Sequence, residues 1–354
     1  MVQNKTLIFK KAPTGFPVVG EHLAVEDRGF DLEAAPPSGG LTLSVLWASY
    51  DPYLRGKMRE GGKSYTPPFD LNGPFTNDCV ARVLKSDTPD YQPGDLVVAY
   101  LPFSEYATLK KDELSNIRRK VPKDNFIVQK GLDLGLLLGP LGMPGLTAWS
   151  SLYEIGQPKK GETIFISSAA GAVGQVVGQV SKREGLRVIG SVGTDAKLNF
   201  ITKDLGFDGG FNYKKESPAD ALKRLCPDGI DIYYENVGGE HLEAAIDNMN
   251  TFGRIVACGM ISQYNAKPEE RYGVRNLFLI VSKQLTMRGF LVGNPDFGPK
   301  HAKEHQEKLS GWLADGSIKA KLSITDGIDK AAEGFVGMLR GDNFGKAVLK
   351  IKNE

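Results

Sequence analysis

The segment Ala169-Ala170-Gly171-Ala172-Val173-Gly174 has the residue types and spacing of a phosphate cradle. It follows a short apolar run at 163–168 and opens a stretch in which Val173, Val177 and Val180 recur at helical spacing. A bend between a strand and a helix N-terminus aims backbone N–H groups, and the positive end of the helix dipole, at one anion. Gly171 would let the backbone approach a pyrophosphate, and Gly174 would allow tight helix–sheet packing. Ala170, Ala172 and Val173 complete the candidate contacts. Ala169 stands where the GxGxxG fingerprint has its first glycine, so the match is imperfect. The competing reading is an ordinary strand–turn–helix corner.

Dinucleotide sites that prefer NAD place Asp or Glu about 20 residues further on, to hold the ribose 2′-hydroxyl. Here the second strand ends Gly190-Ser191-Val192-Gly193-Thr194, with no carboxylate at the strand end, which leaves room for a 2′-phosphate. Asp195 is close, but Lys197 follows at the start of the next helix and could pair with that phosphate. Tyr213, at the end of the third strand, could add a hydrogen bond. On spacing alone Lys197 is equally a solvated surface lysine.

Other chemistries lack their residues. His301-Ala302-Lys303-Glu304-His305 spells a peptidase-like HxxEH, but its polar flanks suit a solvated helix face better than a buried metal site. Cys79, Cys226 and Cys258 are too scattered for a zinc set or a disulfide framework, and read as small buried hydrophobes in a reducing compartment. No GxSxG nucleophile elbow occurs. No metal is expected.

The elements that must position these residues fall into two kinds. Up to about residue 130, short apolar runs at 41–46, 80–84 and 96–100, with turn residues Pro93-Gly94-Asp95 before the last, read as a β barrel or sandwich. From there strands at 163–168, 187–192, 210–213, 231–234, 254–259 and 285–292 alternate with helical stretches, one at 197–205 capped by Gly206. That alternation predicts an α/β domain with a doubly wound parallel sheet. A polar helix is expected at 301–314. The tail 346–351 alternates like a half-exposed strand that returns to the first domain. The 44 basic and 42 acidic residues leave a formal charge of +2, which argues against nucleic acid or a membrane surface as partner. No apolar run is long enough for a membrane span or signal peptide, so a cytoplasmic address is expected.

Taken together the motifs identify a resemblance. Asp51-Pro52-Tyr53-Leu54-Arg55-Gly56-Lys57-Met58, Leu141-Gly142-Met143-Pro144-Gly145-Leu146-Thr147-Ala148 and the cradle occur in order. Gly206-Phe207-Asp208, Glu235-Asn236-Val237-Gly238-Gly239 and Gly259-Met260-Ile261-Ser262-Gln263-Tyr264-Asn265 follow, then Met287-Arg288-Gly289-Phe290-Leu291-Val292 and Gly341-Asp342-Asn343-Phe344-Gly345-Lys346. Over nearly its whole length the chain resembles the zinc-independent medium-chain dehydrogenases/reductases, in particular the alkenal/one double-bond reductases.

The resemblance implies a GroES-like β-barrel domain from residues 1–130 and 310–354 and a Rossmann domain from 131–309, with NADPH as cofactor. It implies that Lys197 and Tyr213 grip the 2′-phosphate. Met143, Gly145 and Thr147 match positions on the nicotinamide side, and Asn236 and Val237 match the loop beside a ribose. Phe290, Val292 and Asn343 match positions that close over the nicotinamide, and Gly193 and Cys258 belong to the same set. Tyr264 matches the tyrosine implicated in catalysis and Tyr53 an aromatic at the substrate site, although Tyr53 could also be a core aromatic.

The expected activity is hydride transfer to the β-carbon of an unsaturated aldehyde or ketone. Tyr264 would stabilise the enolate oxygen or give the proton. A quinone reductase of the same superfamily and a non-catalytic NADPH-binding scaffold or redox sensor are the rival readings. The aromatic segment 65–69 suggests apolar substrates. A homodimer is expected, with the apolar stretch 277–281 either at its interface or in a core helix.

Overall fold

The computed structural model describes residues 1–352. They form two compact units, one made of Met1–Gly139 and the stretch from Leu322 onward, the other of Pro140–Lys321. No helix among the described residues is long and apolar enough to cross a membrane.

Seven strands come first: β1 (Lys5–Phe9), β2 (Leu23–Asp27), β3 (Leu41–Ser49), β4 (Thr76–Ser86), β5 (Leu96–Pro102), β6 (Tyr106–Leu109) and β7 (Ile117–Val121). The second unit holds β8 (Thr163–Ile166), β9 (Arg187–Val192), β10 (Gly209–Asn212), β11 (Ile230–Glu235), β12 (Met249–Ala257) and β13 (Thr286–Gly289). Last come β14 (Leu322–Asp326) and β15 (Lys346–Lys350).

In the first unit one sheet runs β14-β15-β3-β4-β5-β7, with β6 also paired to β3, and β1-β2 form a hairpin. The first half of β3 pairs with β6 and its end pairs with β15. A register shift between Val45 and Trp47 lets this long strand bend from one neighbour to the other. The arrangement is the GroES-like β domain. Its tail strand departs from expectation in one respect: β15 is buried rather than half-exposed, because it lies inside the sheet with a partner on each side.

The second unit is a Rossmann sheet. Its six strands are all parallel in the order β10-β9-β8-β11-β12-β13. The apolar strands β8 and β11 are buried almost throughout, as a sheet covered on both faces requires. Chain order reverses between them. Ligands of open α/β sheets bind outside the carboxyl ends of the strands at this switch point, and the segments that follow β8 and β11 are therefore the first place to look.

Several boundaries differ from the periodicity reading. The first strand stops at Ile166 because Ser168 takes φ 52°, already part of the turn. The 285–292 strand shortens to β13, because Phe290 turns out to stack on Phe297 with ring centroids 4.9 Å apart. The polar helix is Gly298–Ala314, yet it is not wholly solvated. His305 is fully buried and its Nε2 lies 2.8 Å from the Pro140 carbonyl, while His301 pairs with Glu154 at 2.7 Å. Both rings of the HxxEH run therefore brace the fold.

Candidate active site

The cradle is shaped by close backbone contact. A Cβ on Gly174 would stand 2.6 Å from the Ser168 carbonyl oxygen and 2.8 Å from the Ala169 Cα, both backbone atoms with nowhere to go. Only glycine lets the helix Gly174–Arg183 start this close to the end of β8. Gly171 is less constrained, with a virtual Cβ 3.1 Å from Ser168 O and Oγ. Its N–H is taken by Ser168 O at 2.9 Å, which closes the turn. Ala170 is buried, whereas Gly171, Ala172 and Val173 are partly exposed and form the rim. A cradle that a Cβ would fill, at the switch point of the sheet, fits a bound dinucleotide pyrophosphate.

At the end of β9, Gly193 packs against the phenol of Tyr213: a Cβ there would sit 3.0 Å from the hydroxyl. Tyr213 is 44% exposed. The helix Asp195–Asn199 is capped by Thr194, whose Oγ1 accepts from the Lys197 N–H at 3.2 Å. Asp195, the first residue of that helix, is a carboxylate that could oppose a 2′-phosphate. It accepts from Asn212 Nδ2 at 2.9 Å and pairs with Lys215. Those two partners hold its pKa below the usual carboxylate range, and they tie its charge to neighbours.

After β11 the chain is held by a residue to which the sequence reading gave no role. Glu235 is fully buried, and its Oε1 accepts from the N–H of Val237 at 2.6 Å and of Gly238 at 2.8 Å. The same oxygen takes the Tyr233 hydroxyl at 2.8 Å. Burial raises the carboxyl pKa, although these donors oppose the shift. Ser167 secures the other side. Its Oγ accepts from Asn236 N–H at 2.9 Å, and its carbonyl accepts from Asn236 Nδ2 at 2.8 Å. Asn236 and Val237 are thus fixed between the ends of β8 and β11. The sequence signal was an acid closing the run Ile232-Tyr233-Tyr234 immediately before Asn-Val-Gly-Gly.

The loop after β12 docks on this segment. Ile261 N–H donates to Asn236 O at 3.1 Å, and Ser262 Oγ to Val237 O at 2.6 Å. Tyr264 follows on the same loop, and its hydroxyl oxygen accepts from Met260 N–H at 3.2 Å. A Cβ on Gly259 would stand 2.9 Å from that oxygen, so glycine is what allows the approach. Cys258 lies beside β11, with its N–H on Glu235 O at 3.0 Å. Burial pushes its thiol up to about 12, which leaves no thiolate near neutral pH.

The helix Met143–Ser151 places Met143 and Thr147 one turn apart, with the Thr147 hydroxyl 3.3 Å from the Met143 sulfur. Gly145 is constrained by packing: its virtual Cβ lies 1.8 Å from Pro140 O. Phe290 and Val292 lead into the helix Gly298–Ala314, whose first N–H donates to Val292 O at 2.8 Å. In the β domain, Tyr53 precedes the short helix Leu54–Lys57 and donates to Asn77 Oδ1 at 2.7 Å. Asn343 caps its own turn through Gly345 O at 2.7 Å. Phe69 is buried against Phe75 in the core of this unit, while Tyr65 is 62% exposed, so the aromatic segment is split between core and surface. Among the described residues no three His, Cys, Asp or Glu come together to hold a metal ion.

These two units, and a glycine cradle at a parallel-sheet switch point, define a dinucleotide-dependent oxidoreductase of two domains. Family models agree: one described as the N-terminal domain of oxidoreductase matches residues 5–117, and one described as zinc-binding dehydrogenase matches 172–307. The chain is 51% identical to the NADP-dependent oxidoreductase RED1 of Cochliobolus heterostrophus, over 99% of this chain and 98% of that protein. It is 39% identical to the NADP-dependent 2-alkenal reductase of Nicotiana tabacum, over 100% and 99% of the two chains. Among solved structures, CurA of Vibrio vulnificus in complex with NADPH superposes with a TM-score of 0.88 at 33% identity, covering 99% of this chain and 100% of that one. The chain belongs to the zinc-independent medium-chain dehydrogenase/reductase family, in its alkenal reductase-like group.

Proposed function

We propose that this protein reduces the carbon–carbon double bond of α,β-unsaturated aldehydes or ketones, with Tyr264 polarising the carbonyl oxygen. The cofactor is NADPH. When bound, it supplies a hydride for the electron-poor β-carbon. The residues that would hold it are the cradle from Ala170 to Val173, Gly193, Lys197 and Tyr213 around the 2′-phosphate, and Asn236, Val237 and Cys258 just beyond the ends of β11 and β12. Met143, Gly145, Thr147, Phe290, Val292 and Asn343 belong to the nicotinamide end. Asp195, tied to Asn212 and Lys215, opposes a 2′-phosphate less than an untied carboxylate would.

The observation that carries the reading is the placement of Tyr264 on the loop beside Asn236 and Val237. Its hydroxyl oxygen accepts from the Met260 N–H at 3.2 Å, which fixes the phenol on the loop that docks against Asn236 and Val237. Negative charge develops on the carbonyl oxygen as the β-carbon is reduced, and a fixed donor there lowers the barrier. A proton then adds at the α-carbon to complete the saturated product. The partner surface also has a candidate. Phe278 and Val281 are 70% and 80% exposed beside the edge strand β13, which excludes a core role for these two and suits a second copy of the chain.

The test is Tyr264→Phe with an enone and NADPH. Loss of one such donor lowers kcat by about 10²–10³ and leaves NADPH affinity unchanged. Unchanged turnover removes Tyr264 from the chemistry. Faster reduction of benzoquinone than of any enone by the unaltered protein replaces the proposed substrate class.

A further inference from the structure

The helix that starts at the cradle grips one segment of chain along its whole length. Segment 317–321 belongs to no strand, yet side chains of that helix pair its backbone. Gln175 lies in the first turn of the helix Gly174–Arg183. Its Oε1 accepts from Lys321 N–H at 2.9 Å and its Nε2 donates to Lys321 O at 3.3 Å. One turn on, Gln179 repeats the pattern: Oε1 accepts from Lys319 N–H and Nε2 donates to Lys319 O, both at 2.8 Å. The second amide proton of Gln179 goes to Gln175 O at 2.8 Å. A further turn on, Arg183 donates to Ser317 Oγ at 2.5 Å, and its guanidinium lies over the Trp312 ring. The register has a geometric cause. Four helical residues rise about 6 Å, and two residues of extended chain span about 6.6 Å. Side chains at 175 and 179 therefore meet Lys321 and Lys319 in turn. Both glutamines are buried. A backbone N–H and a backbone C=O make opposite demands on each amide, so neither amide can flip.

We infer that Gln175, Gln179 and Arg183 are positioning residues for the phosphate cradle, and that through them a bound cofactor stiffens segment 317–321, from which the chain passes to β14 of the other unit. The inference rests on the cradle being the pyrophosphate site. No side chain caps the helix at Val173, so its first turn depends on other contacts. Gln175 sits in that turn, next to Gly174, and its two bonds tie the turn to Lys321. Gln179 and Arg183 continue the tie to the far end of the helix. A phosphate on the turn removes motion that the turn shares with the segment. A segment already in place leaves the phosphate less motion to arrest. Linkage makes the two effects equal: the factor by which NADPH suppresses opening of the segment is the factor by which opening weakens NADPH binding. The three residues act through the helix and not on the reacting atoms.

The experiment is amide hydrogen exchange of Lys319 and Lys321, whose N–H groups the glutamines hold, with and without saturating NADPH. Amides of β3, in the other unit, serve as reference. NADPH slows both lysine amides by about tenfold or more beyond any change in β3. In Gln179→Leu both amides exchange faster, and the slowing by NADPH falls below about threefold. The Kd for NADPH from calorimetry rises about three- to tenfold in the same variant, the effect of one or two neutral hydrogen bonds. Should Gln179→Leu fail to fold, the unaltered protein with and without NADPH decides alone. Equal exchange of Lys319 and Lys321 with and without NADPH overturns the inference. So does a Gln179→Leu protein that exchanges faster but keeps the full slowing by NADPH, the behaviour of a merely structural brace. Absence of NADPH binding to the folded, unaltered protein instead refutes the cradle reading itself.

Discussion

Gly174→Ala probes the cradle with one methyl group. The added carbon would lie 2.6 Å from Ser168 O, 2.8 Å from Ala169 Cα and 2.9 Å from Ala169 O. Ordinary carbon–carbon contact begins near 3.5–4.0 Å, so the helix start and the turn must part by roughly 0.5–1 Å. Forcing extra volume into a packed place costs about 1–3 kcal/mol. A better helix residue gives little back, because position 174 is the first of its helix. A shift of that size also moves the turn's N–H groups off a bound phosphate, and about 1.4 kcal/mol of lost binding raises Kd tenfold. The assay is calorimetric titration with NADPH, with a thermal melt on the same samples. Gly171→Ala, whose added carbon meets Ser168 at 3.1 Å, gives a smaller effect. Gly311→Ala is the control: nothing lies within 4 Å of its Cβ, so it binds NADPH normally and gains up to about 1 kcal/mol. Gly174→Ala protein with unaltered Kd and melting temperature refutes the reasoning.

Lys197→Ala raises KM for NADPH at least tenfold more than KM for NADH, measured by initial rates; equal effects deny the 2′-phosphate role. Glu235→Gln changes the pH dependence of stability. The folded-state pKa of Glu235 lies above its unfolded value of 4.5, so the native protein holds that proton more tightly. Its contribution is therefore full below pH 4.5 and declines as pH rises through the folded value, a decline that denaturant titrations at several pH values show missing in the Gln variant. If Phe278 and Val281 form the proposed dimer surface, Phe278→Asp with Val281→Asp lowers the mass seen by light scattering to that of one chain without loss of melting temperature, and a one-chain mass for the unaltered protein refutes the dimer.

The strand–turn–helix bend at 169–174 was legible because its requirement is local: a turn, a helix start and small residues within six positions. The Rossmann order was legible for a related reason, since buried parallel strands read as short apolar runs. What failed did so where partners come from afar. Lys346 and Lys350 made the tail look half-exposed, but the Lys346 ammonium meets Asp51, nearly three hundred residues earlier in the chain. His305 sits among charged neighbours in sequence and is buried by a carbonyl at Pro140. Glu235 went without a role because its partners are backbone N–H groups, which no residue type announces. Gly145, read as a position beside the nicotinamide, has a packing requirement at Pro140 that the spacing did not reveal.

The most direct test follows the hydrogen. Benzylideneacetone is reduced with NADPH deuterated at its transferable position, and the product is examined by NMR. The account predicts a saturated ketone with deuterium on the β-carbon and an intact carbonyl. Deuterium on a carbinol carbon, or no consumption of the enone while NADPH binds, contradicts it.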